Sequence, residues 1–258
     1  MSAADLLLVS AIAVIVLMVT IWILSVLLMD VSIVDMVWGL GFVIVAWVTN
    51  LAAPAPGPRG LLLTVLVTVW GLRLSGYLIW RNLGKPEDYR YQAMRAAAPR
   101  SFWLTSLFRV FLLQGALMWV ISVPVVVSQT GSGDLGWLDY AGIGLWAIGL
   151  FFETVGDVQL ARFKSRPDSK GKVMDLGLWR YTRHPNYFGD FAVWWGHYVV
   201  ALAGGAWWTI FSPALMSFLL LRVSGVAMLE KTISERRPEY RAYAARTNSF
   251  FPGPPKRT

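Results

Sequence analysis

Long apolar stretches recur along almost the whole sequence. A run of roughly 20 apolar residues is long enough to cross the hydrocarbon core of a membrane as a helix. Seven stretches of about this length are present, at residues 6–28, 33–53, 61–80, 102–127, 138–160, 188–203 and 207–229. We therefore predict an all-α, polytopic membrane protein with seven transmembrane helices.

The composition favours a membrane protein over a soluble one. Hydrophobic residues make up 56% of the chain, whereas soluble domains are typically about 45–50% apolar. Cysteine is absent, which excludes disulfides, thiolate metal ligands and a cysteine nucleophile. The net charge of +8 follows from the topology of a membrane protein, so we expect no nucleic-acid partner.

The basic residues predict the orientation. Of the 23 Lys and Arg residues, only Arg59 falls in a connection predicted to lie outside. The others cluster after the third, fifth and seventh stretches, and such clusters mark the cytoplasmic side. Seven spans then place the N-terminus outside and the C-terminus in the cytoplasm. The first stretch follows no basic residue and is too long for a signal peptide, so we expect it to be retained.

We predict one membrane-embedded domain over residues 1–258. Residues 1–128 contain the first four helices, and residues 129–258 contain the last three helices with their cytoplasmic loops. The predicted outer connections are short and rich in Gly or Pro, which is typical of turns.

Ionisable side chains occur near the predicted cytoplasmic ends of the helices. A charge at the bilayer centre costs roughly 2.5–3.5 kcal/mol on insertion scales, so such residues usually face a partner or a wet cavity. Glu153 and Asp157 are four residues apart and share one helix face, which predicts a cation or a ligand hydroxyl opposite them. Asp35 lies at the inner start of helix two, with Trp38 on the same face. Alternatively, these residues are interfacial or fix helix packing, with Asp35 paired to a base such as Arg73.

Residues 177–190 contain the most informative polar segment. Arg180 and Arg183 can each place a guanidinium fork on phosphate oxygens. His184 can donate a further hydrogen bond, and the Asn186 amide can both donate and accept. At the start of a helix, these groups suit a large anionic cofactor. The alternative is a basic, aromatic-rich loop that contacts anionic lipid.

Neither histidine belongs to a cluster with metal-ligand spacing, so we expect no metal. His197 stands alone within helix six. We expect it to be a buried, hydrogen-bonded core residue.

Four segments of the chain resemble the membrane steroid 5-alpha-reductase family and its bacterial relatives. They read VDMVWG from Val34, WGLRLSGYLIWRN from Trp70, LGLWRYTRHPNYFGDFAVWWG from Leu176, and LEK…RPEYRAYAARTNSFFP near the C-terminus. The Arg-His-Pro-x-Tyr core also resembles isoprenylcysteine carboxyl methyltransferases, which use S-adenosylmethionine. Asn186, Asp190 and the Glu153/Asp157 helix look more like the reductases, including the sterol reductases with an Asn-Tyr-x-Gly-Asp pattern.

In the family that this chain resembles, the C-terminal helices and their cytoplasmic loops bind NADPH. The resemblance therefore implies that Glu153 and Asp157 approach the adenosine half of NADPH, and that Asp190 supports the network. It further implies that Asn186 and Tyr187 contact the nicotinamide side of the cofactor. Contacts with the phosphates are implied for the basic residues Arg162, Lys164, Arg180, Arg183 and His184.

The resemblance also implies the reaction, which is reduction of the carbon–carbon double bond of a conjugated enone, as in a 3-oxo-Δ4 steroid 5-alpha-reductase. Mammalian members place a Gln-Glu pair on helix two and a Tyr on helix three beside the substrate carbonyl. This chain has Asp35 as its acid on helix two and Tyr77 as the nearest helix-three tyrosine. We predict that these two are catalytic, because an acid must donate to the carbonyl oxygen as it gains negative charge. Trp38 is predicted to line the substrate cavity.

The lipophilic substrate should enter from the bilayer and NADPH from the cytoplasm. We expect a monomer surrounded by lipid in a bacterial inner membrane, with the cofactor site facing the cytoplasm. Two other functions stay open, an S-adenosylmethionine-dependent methyltransferase and a non-catalytic lipid-binding or transport protein. The transporter is less favoured because the sequence has no inverted repeat and no paired broken helices.

The topology predicts opposite locations for two reporters. A fluorescent protein fused after Thr258 should fold and fluoresce in the cytoplasm, and one inserted between Gln129 and Gly136 should not. Alkaline phosphatase at the same two positions should give the reverse pattern. If both positions report the same side, the predicted count of seven spans is wrong.

Overall fold

The computed structural model describes residues 1–223, 226, 230 and 239–256. Within these residues the secondary structure is helical and contains no strand, which confirms the all-α class for the described part of the chain. Five described helices are long and apolar enough to cross a membrane: Ala3–Leu28, Ile33–Ala52, Pro58–Asn82, Phe102–Thr130 and Trp137–Lys164. They coincide with the first five predicted stretches.

The helices have the following bounds. The first four are α1 (Ala3–Leu28), α2 (Ile33–Ala52), α3 (Pro58–Asn82) and α4 (Tyr89–Ala97). A composite helix then joins α5 (Phe102–Ser106), a π-helical segment (Leu107–Leu112), α6 (Leu113–Val127) and a 3₁₀ turn (Ser128–Thr130). The later helices are α7 (Trp137–Lys164), α8 (Pro185–Ala203), α9 (Phe211–Phe218) and α10 (Glu239–Arg246), with 3₁₀ turns at Pro167–Ser169, Gly177–Arg180 and Trp207–Ile210 and a π-helical segment at Leu219–Val223.

The sixth and seventh predicted spans are helical where the structure describes them. Helix α8 has 19 residues and covers the sixth. The seventh begins at the 3₁₀ turn Trp207–Ile210 and continues through α9. Residues 224, 225 and 227–229 of that span lie outside the described residues, as do residues 231–238 of the C-terminal motif. The count of seven spans and their orientation therefore stay predictions.

The chain forms two compact units. The first contains Met1–Gly136 and Ala201–Thr209, and the second contains Trp137–Val200 and Ile210–Thr258. The candidate cofactor residues belong to the second unit, whereas Asp35, Trp38 and Tyr77 belong to the first. The organisation as a single domain stays a prediction.

Helix α1 has well-defined ends. Ser2 Oγ accepts a hydrogen bond from the Asp5 backbone nitrogen at 3.2 Å, and Asp5 Oδ2 accepts from the Ser2 nitrogen at 2.7 Å. This reciprocal pair satisfies two donors that the first turn would otherwise leave free. The helix ends at Met29, whose φ of 54° lies in the left-handed region that commonly terminates helices.

In the first unit, α2 and α3 touch through glycine. A Cβ atom at Gly39 would lie 2.5 Å from the Gly71 carbonyl oxygen, and one at Gly71 would lie 2.5 Å from the Gly39 oxygen. The buried Ser75 hydroxyl accepts from the Leu40 backbone nitrogen at 2.9 Å. Small residues let helix backbones approach closely in a membrane. Because Asp35 lies one turn before Gly39 on α2, this contact also fixes the position of Asp35 relative to α3.

In the second unit, α7 and α8 approach each other in the same way. A Cβ atom at Gly149 would lie 2.5 Å from the Val193 backbone nitrogen and 2.6 Å from the Gly189 oxygen. One at Gly196 would lie 2.7 Å from the Trp146 nitrogen. These distances are too short for any side chain, so the two backbones are in direct contact.

The contact predicts a large effect of a single methyl group. Gly149→Ala should separate α7 from α8 and lower the free energy of unfolding by roughly 1–3 kcal/mol, the usual cost of overpacking. Gly144→Ala on the same helix is the matched control, because no atom lies within 4 Å of the added methyl. Thermal unfolding in detergent measures both variants. Equal melting temperatures would contradict the close approach.

Candidate functional site

The Asp157 carboxylate meets the Asn186 amide where α7 contacts the start of α8, and the Glu153 carboxylate lies one turn earlier on the same face of α7. Glu153 and Asp157 are only 3% and 4% exposed. Asn186 Nδ2 donates to Asp157 Oδ1 at 3.2 Å. Gly156 permits this contact, because a Cβ atom there would lie 3.2 Å from the Asn186 backbone nitrogen. The acidic face predicted on α7 therefore meets the Asn186 amide of the polar segment at residues 177–190, which is called the motif from here on.

The Asn186 amide also presents a buried acceptor. Its Oδ1 atom is buried and accepts no hydrogen bond from the described residues. A buried polar atom without a partner costs about 1–3 kcal/mol. Asp190 lies one turn later on α8, which puts it on the same helix face. The site therefore offers an acceptor that suits a ligand N–H or O–H group.

A second cluster surrounds the Glu230 carboxylate. Arg183 Nη2 lies 2.8 Å and His184 Nε2 lies 3.1 Å from Glu230 Oε1. Arg183 Nη1 also donates to the Ala244 carbonyl oxygen at 2.9 Å. The His184 ring stacks on Tyr187 with ring centroids 5.8 Å apart. Glu230 was not predicted to belong to the site, and its contacts with Arg183 and His184 are visible only in the structure.

The charges in this cluster determine its protonation. Burial raises the pKa of Glu230, but the His184 hydrogen bond and the Arg183 charge outweigh burial and hold that pKa below its usual 4.5. Burial and the nearby Glu230 carboxylate raise the pKa of Tyr240 to about 12. At neutral pH, Glu230 is therefore ionised and Tyr240 keeps its proton.

Three further basic residues are exposed near the end of α7. Arg162 and Lys164 lie in its last turn, and Arg180 lies in the 3₁₀ turn that precedes the motif. This turn is attached to α7 because Trp179 Nε1 donates to the Gly156 oxygen at 3.1 Å. This contact keeps Arg180 in the same compact unit as Arg162 and Lys164. All three cations, which were predicted to meet phosphates, are exposed to solvent.

The C-terminal segment fixes the backbone of the motif. The Asn248 oxygen accepts from the Arg183 backbone nitrogen at 2.9 Å, and the Phe250 oxygen accepts from Thr182 Oγ1 at 2.7 Å. The Phe250 ring lies against Phe191 of α8, with centroids 5.5 Å apart. The resemblance drew attention to this segment, but its role in holding the motif is visible only in the structure.

Asp35 has two partners from α4. Its Oδ2 atom accepts from Arg90 Nη2 at 2.8 Å, and its Oδ1 atom accepts from the Tyr91 hydroxyl at 2.9 Å. Arg90 Nε also donates to Asp88 Oδ1 at 2.8 Å. Burial and the Asp35 charge raise the pKa of Tyr91 well above its usual range, so its hydroxyl keeps the proton. Sequence reasoning did not assign Arg90 or Tyr91 to the site.

Tyr77 and Trp38 also lie in the first unit. The Tyr77 ring has the guanidinium groups of Arg73 and Arg81 5.6 and 5.5 Å from its centroid. Trp38 is partly buried and meets Phe42 edge to face, with centroids 5.4 Å apart. Their roles in catalysis and substrate binding stay predictions.

His197 is fully buried on α8, with its ring centroid 5.1 Å from that of Trp194. The burial predicted for this histidine is therefore confirmed. Among the residues that the structure describes, no group of three or more His, Asp or Glu side chains is arranged to hold a metal ion.

The chain belongs to the family described as "Protein of unknown function (DUF1295)", whose model matches residues 21–247. It is also 26% identical over 223 residues to an uncharacterized protein from Schizosaccharomyces pombe. That match covers 75% of this chain and 63% of the yeast protein, so the chain spans under two thirds of that relative's length. No solved structure gives a significant match.

The Glu230 cluster predicts a pH-dependent stability. Because the folded-state pKa of Glu230 lies below 4.5, its charge stabilises the fold above that pH, and this stabilisation is lost as the pH falls through the folded-state pKa. Glu230→Gln should therefore melt below wild type at neutral pH, and the difference should be smaller at acidic pH, as the pH falls below 4.5 and through the folded-state pKa. Glu239→Gln, at an exposed position of α10, is the control. A melting difference that is the same at both pH values would rule out this assignment.

Proposed function

We propose that this protein is an NADPH-dependent reductase that saturates the carbon–carbon double bond of a conjugated enone in a lipophilic substrate. A 3-oxo-Δ4 steroid is the proposed substrate class. The observation that carries the proposal is the buried contact between Asp157 and Asn186, which leaves one amide oxygen ready for a ligand donor. The resemblance of residues 176–196 to the reductases supports the same function.

The polar groups of the second unit fit the two ends of a nicotinamide dinucleotide. Glu153 and Asp157 are buried acceptors of the type that binds ribose hydroxyls in dinucleotide sites. Asn186 Oδ1 can accept from the carboxamide or from the second ribose. Tyr187 offers a ring beside this amide, held in place by its stacking on His184.

The basic residues divide into two groups with different proposed roles. Arg162, Lys164 and Arg180 are exposed and suited to phosphate oxygens. Arg183 and His184 are held by Glu230, so we assign them mainly to positioning the motif. Arg183 still has a buried Nε that donates to no described residue, and this atom can serve a phosphate oxygen.

The reaction requires a hydride and a proton. NADPH, when bound, supplies the hydride that adds to the β-carbon of the enone. The electron pair of the double bond then shifts to the carbonyl oxygen, which gains negative charge and needs a hydrogen-bond donor. We propose Asp35 and Tyr77 as donors, with Asp35 acting after it takes up a proton from solvent, because both of its oxygens accept hydrogen bonds in the structure. A proton added at the α-carbon completes the saturated ketone.

Ligand-dependent melting tests the choice between NADPH and S-adenosylmethionine. A ligand at about 100 times its Kd stabilises the folded state by about 2.7 kcal/mol, so NADPH should raise the melting temperature of the purified protein and S-adenosylmethionine should not. Asn186→Ala should weaken NADPH binding roughly tenfold, as expected for loss of one or two buried hydrogen bonds. Asn82→Ala in the first unit is the control. The opposite ligand preference would reject the reductase.

Turnover of Asp35→Asn tests the proposed acid. An amide keeps the size of the side chain but cannot supply a proton, so kcat should fall by about 10²- to 10⁴-fold while NADPH affinity is kept. Single-turnover NADPH oxidation with a 3-oxo-Δ4 steroid, normalised to the folded fraction, measures this fall in rate. Tyr77→Phe, measured in the same assay, tests whether the Tyr77 hydroxyl is the donor.

Glu87→Gln is the matched control for a purely structural acid. Glu87 pairs with Arg95 at 2.8 Å in the same unit, so its loss should lower stability without changing the turnover of folded protein. If Asp35→Asn likewise lowers stability without changing the turnover of folded protein, Asp35 only holds Arg90 in place and is not catalytic.

A further inference from the structure

A polar cavity of about 270 Å³ lies in the first unit, where three membrane-crossing helices have their ends. It is lined by residues at the end of α1, the start of α2 and the end of α3, together with the start of α4. Consecutive helices run in opposite directions, so these ends share one face of the membrane. The topology predicted from the basic residues makes this the cytoplasmic face.

Part of the charge in the cavity is already neutralised. Asp35 and Asp88 both accept hydrogen bonds from Arg90 at 2.8 Å. The cavity wall also contains the exposed cations Arg81 and Lys85. These two cations suit a phosphate group.

One further carboxylate lies on the wall. Asp30 uses Oδ1 to accept from the Ser32 backbone nitrogen at 2.8 Å, and Oδ2 can accept from another donor. A carboxylate beside a pair of cations suits a ligand that carries both a phosphate and an ammonium group. The cavity has several times the roughly 30 Å³ that one water occupies in the liquid, so a small polar headgroup has room.

Large apolar side chains flank these polar residues in the chain. Met29 precedes Asp30, Trp80 precedes Arg81, and Leu83 follows the cavity residue Asn82; these three are 75%, 68% and 74% exposed. Tryptophan is enriched at the boundary between lipid and water. A ligand with its polar end in the cavity would therefore have acyl chains next to apolar side chains.

We propose that this cavity binds the phosphoethanolamine headgroup of a membrane phospholipid. The phosphate lies against Arg81 and Lys85, and the ammonium lies against Asp30. Soluble phosphoethanolamine carries the same chemistry, but the exposed apolar side chains favour the lipid. The cavity wall also contains Asp35, the proposed acid of the reductase. The headgroup proposal rests instead on Arg81, Lys85 and Asp30, and the binding measurement below requires no turnover.

Native mass spectrometry of the delipidated, full-length protein tests the proposal, with dioleoyl phosphatidylethanolamine, phosphatidylglycerol and phosphatidylcholine added separately. Phosphatidylethanolamine should bind most tightly. Lys85→Gln should weaken both ethanolamine and glycerol lipids about fivefold, the factor that corresponds to roughly 1 kcal/mol per basic residue near a membrane surface. Lys172→Gln is the control, since Lys172 is an exposed lysine of the second unit that lies 3.8 Å from Asp168.

Asp30→Asn separates the two halves of the headgroup. It should remove the preference for phosphatidylethanolamine over phosphatidylglycerol and leave phosphatidylglycerol binding unchanged. Equal binding of all three lipids by wild type, or unchanged affinities in both Lys85→Gln and Asp30→Asn, would overturn the proposal. Equally tight binding of soluble glycerophosphoethanolamine would overturn the assignment to a lipid.

Discussion

The candidate cofactor site depends on the backbone contact between α7 and α8. Gly149 and Gly189 leave no space for a side chain between the two helices. In lipid, close packing of small residues replaces much of the hydrophobic driving force that associates helices in water. Because the contact fixes the register of α8 on α7, Asp157 meets Asn186, and a buried acceptor is set in place before any ligand arrives. Such preorganisation is what a binding site requires.

Hydropathy predicted the all-α class and the positions of five long helices, because the length of an apolar run sets whether it can cross a bilayer. Helical spacing also placed Glu153 and Asp157 on one face, since that pattern is local. Their contact with Asn186 was not predicted. It depends on the register between α7 and α8, which is set by the close approach of their glycines. The repeat pattern of a single helix does not show which residues of another helix it contacts.

The partners of the predicted ionisable residues come from distant segments. Asp35 pairs with Arg90, whereas the sequence suggested a base such as Arg73 as its structural partner. The reason is that α4 folds back onto the start of α2, where Ser32 Oγ accepts from the Asp88 backbone nitrogen at 2.7 Å. Glu230 was likewise missed as the partner of the motif, because the chain between them gives no spacing signal.

Deuterium transfer tests most directly whether the site delivers a hydride from NADPH to an enone. The purified protein would be incubated with a 3-oxo-Δ4 steroid and NADPH deuterated at either C4 position of the nicotinamide. We expect one of the two cofactors to place a single deuterium on the β-carbon of the saturated product, as seen by mass spectrometry. A saturated product without deuterium from either cofactor, or no product with NADPH while labelled S-adenosylmethionine methylates a lipid, would contradict the reductase.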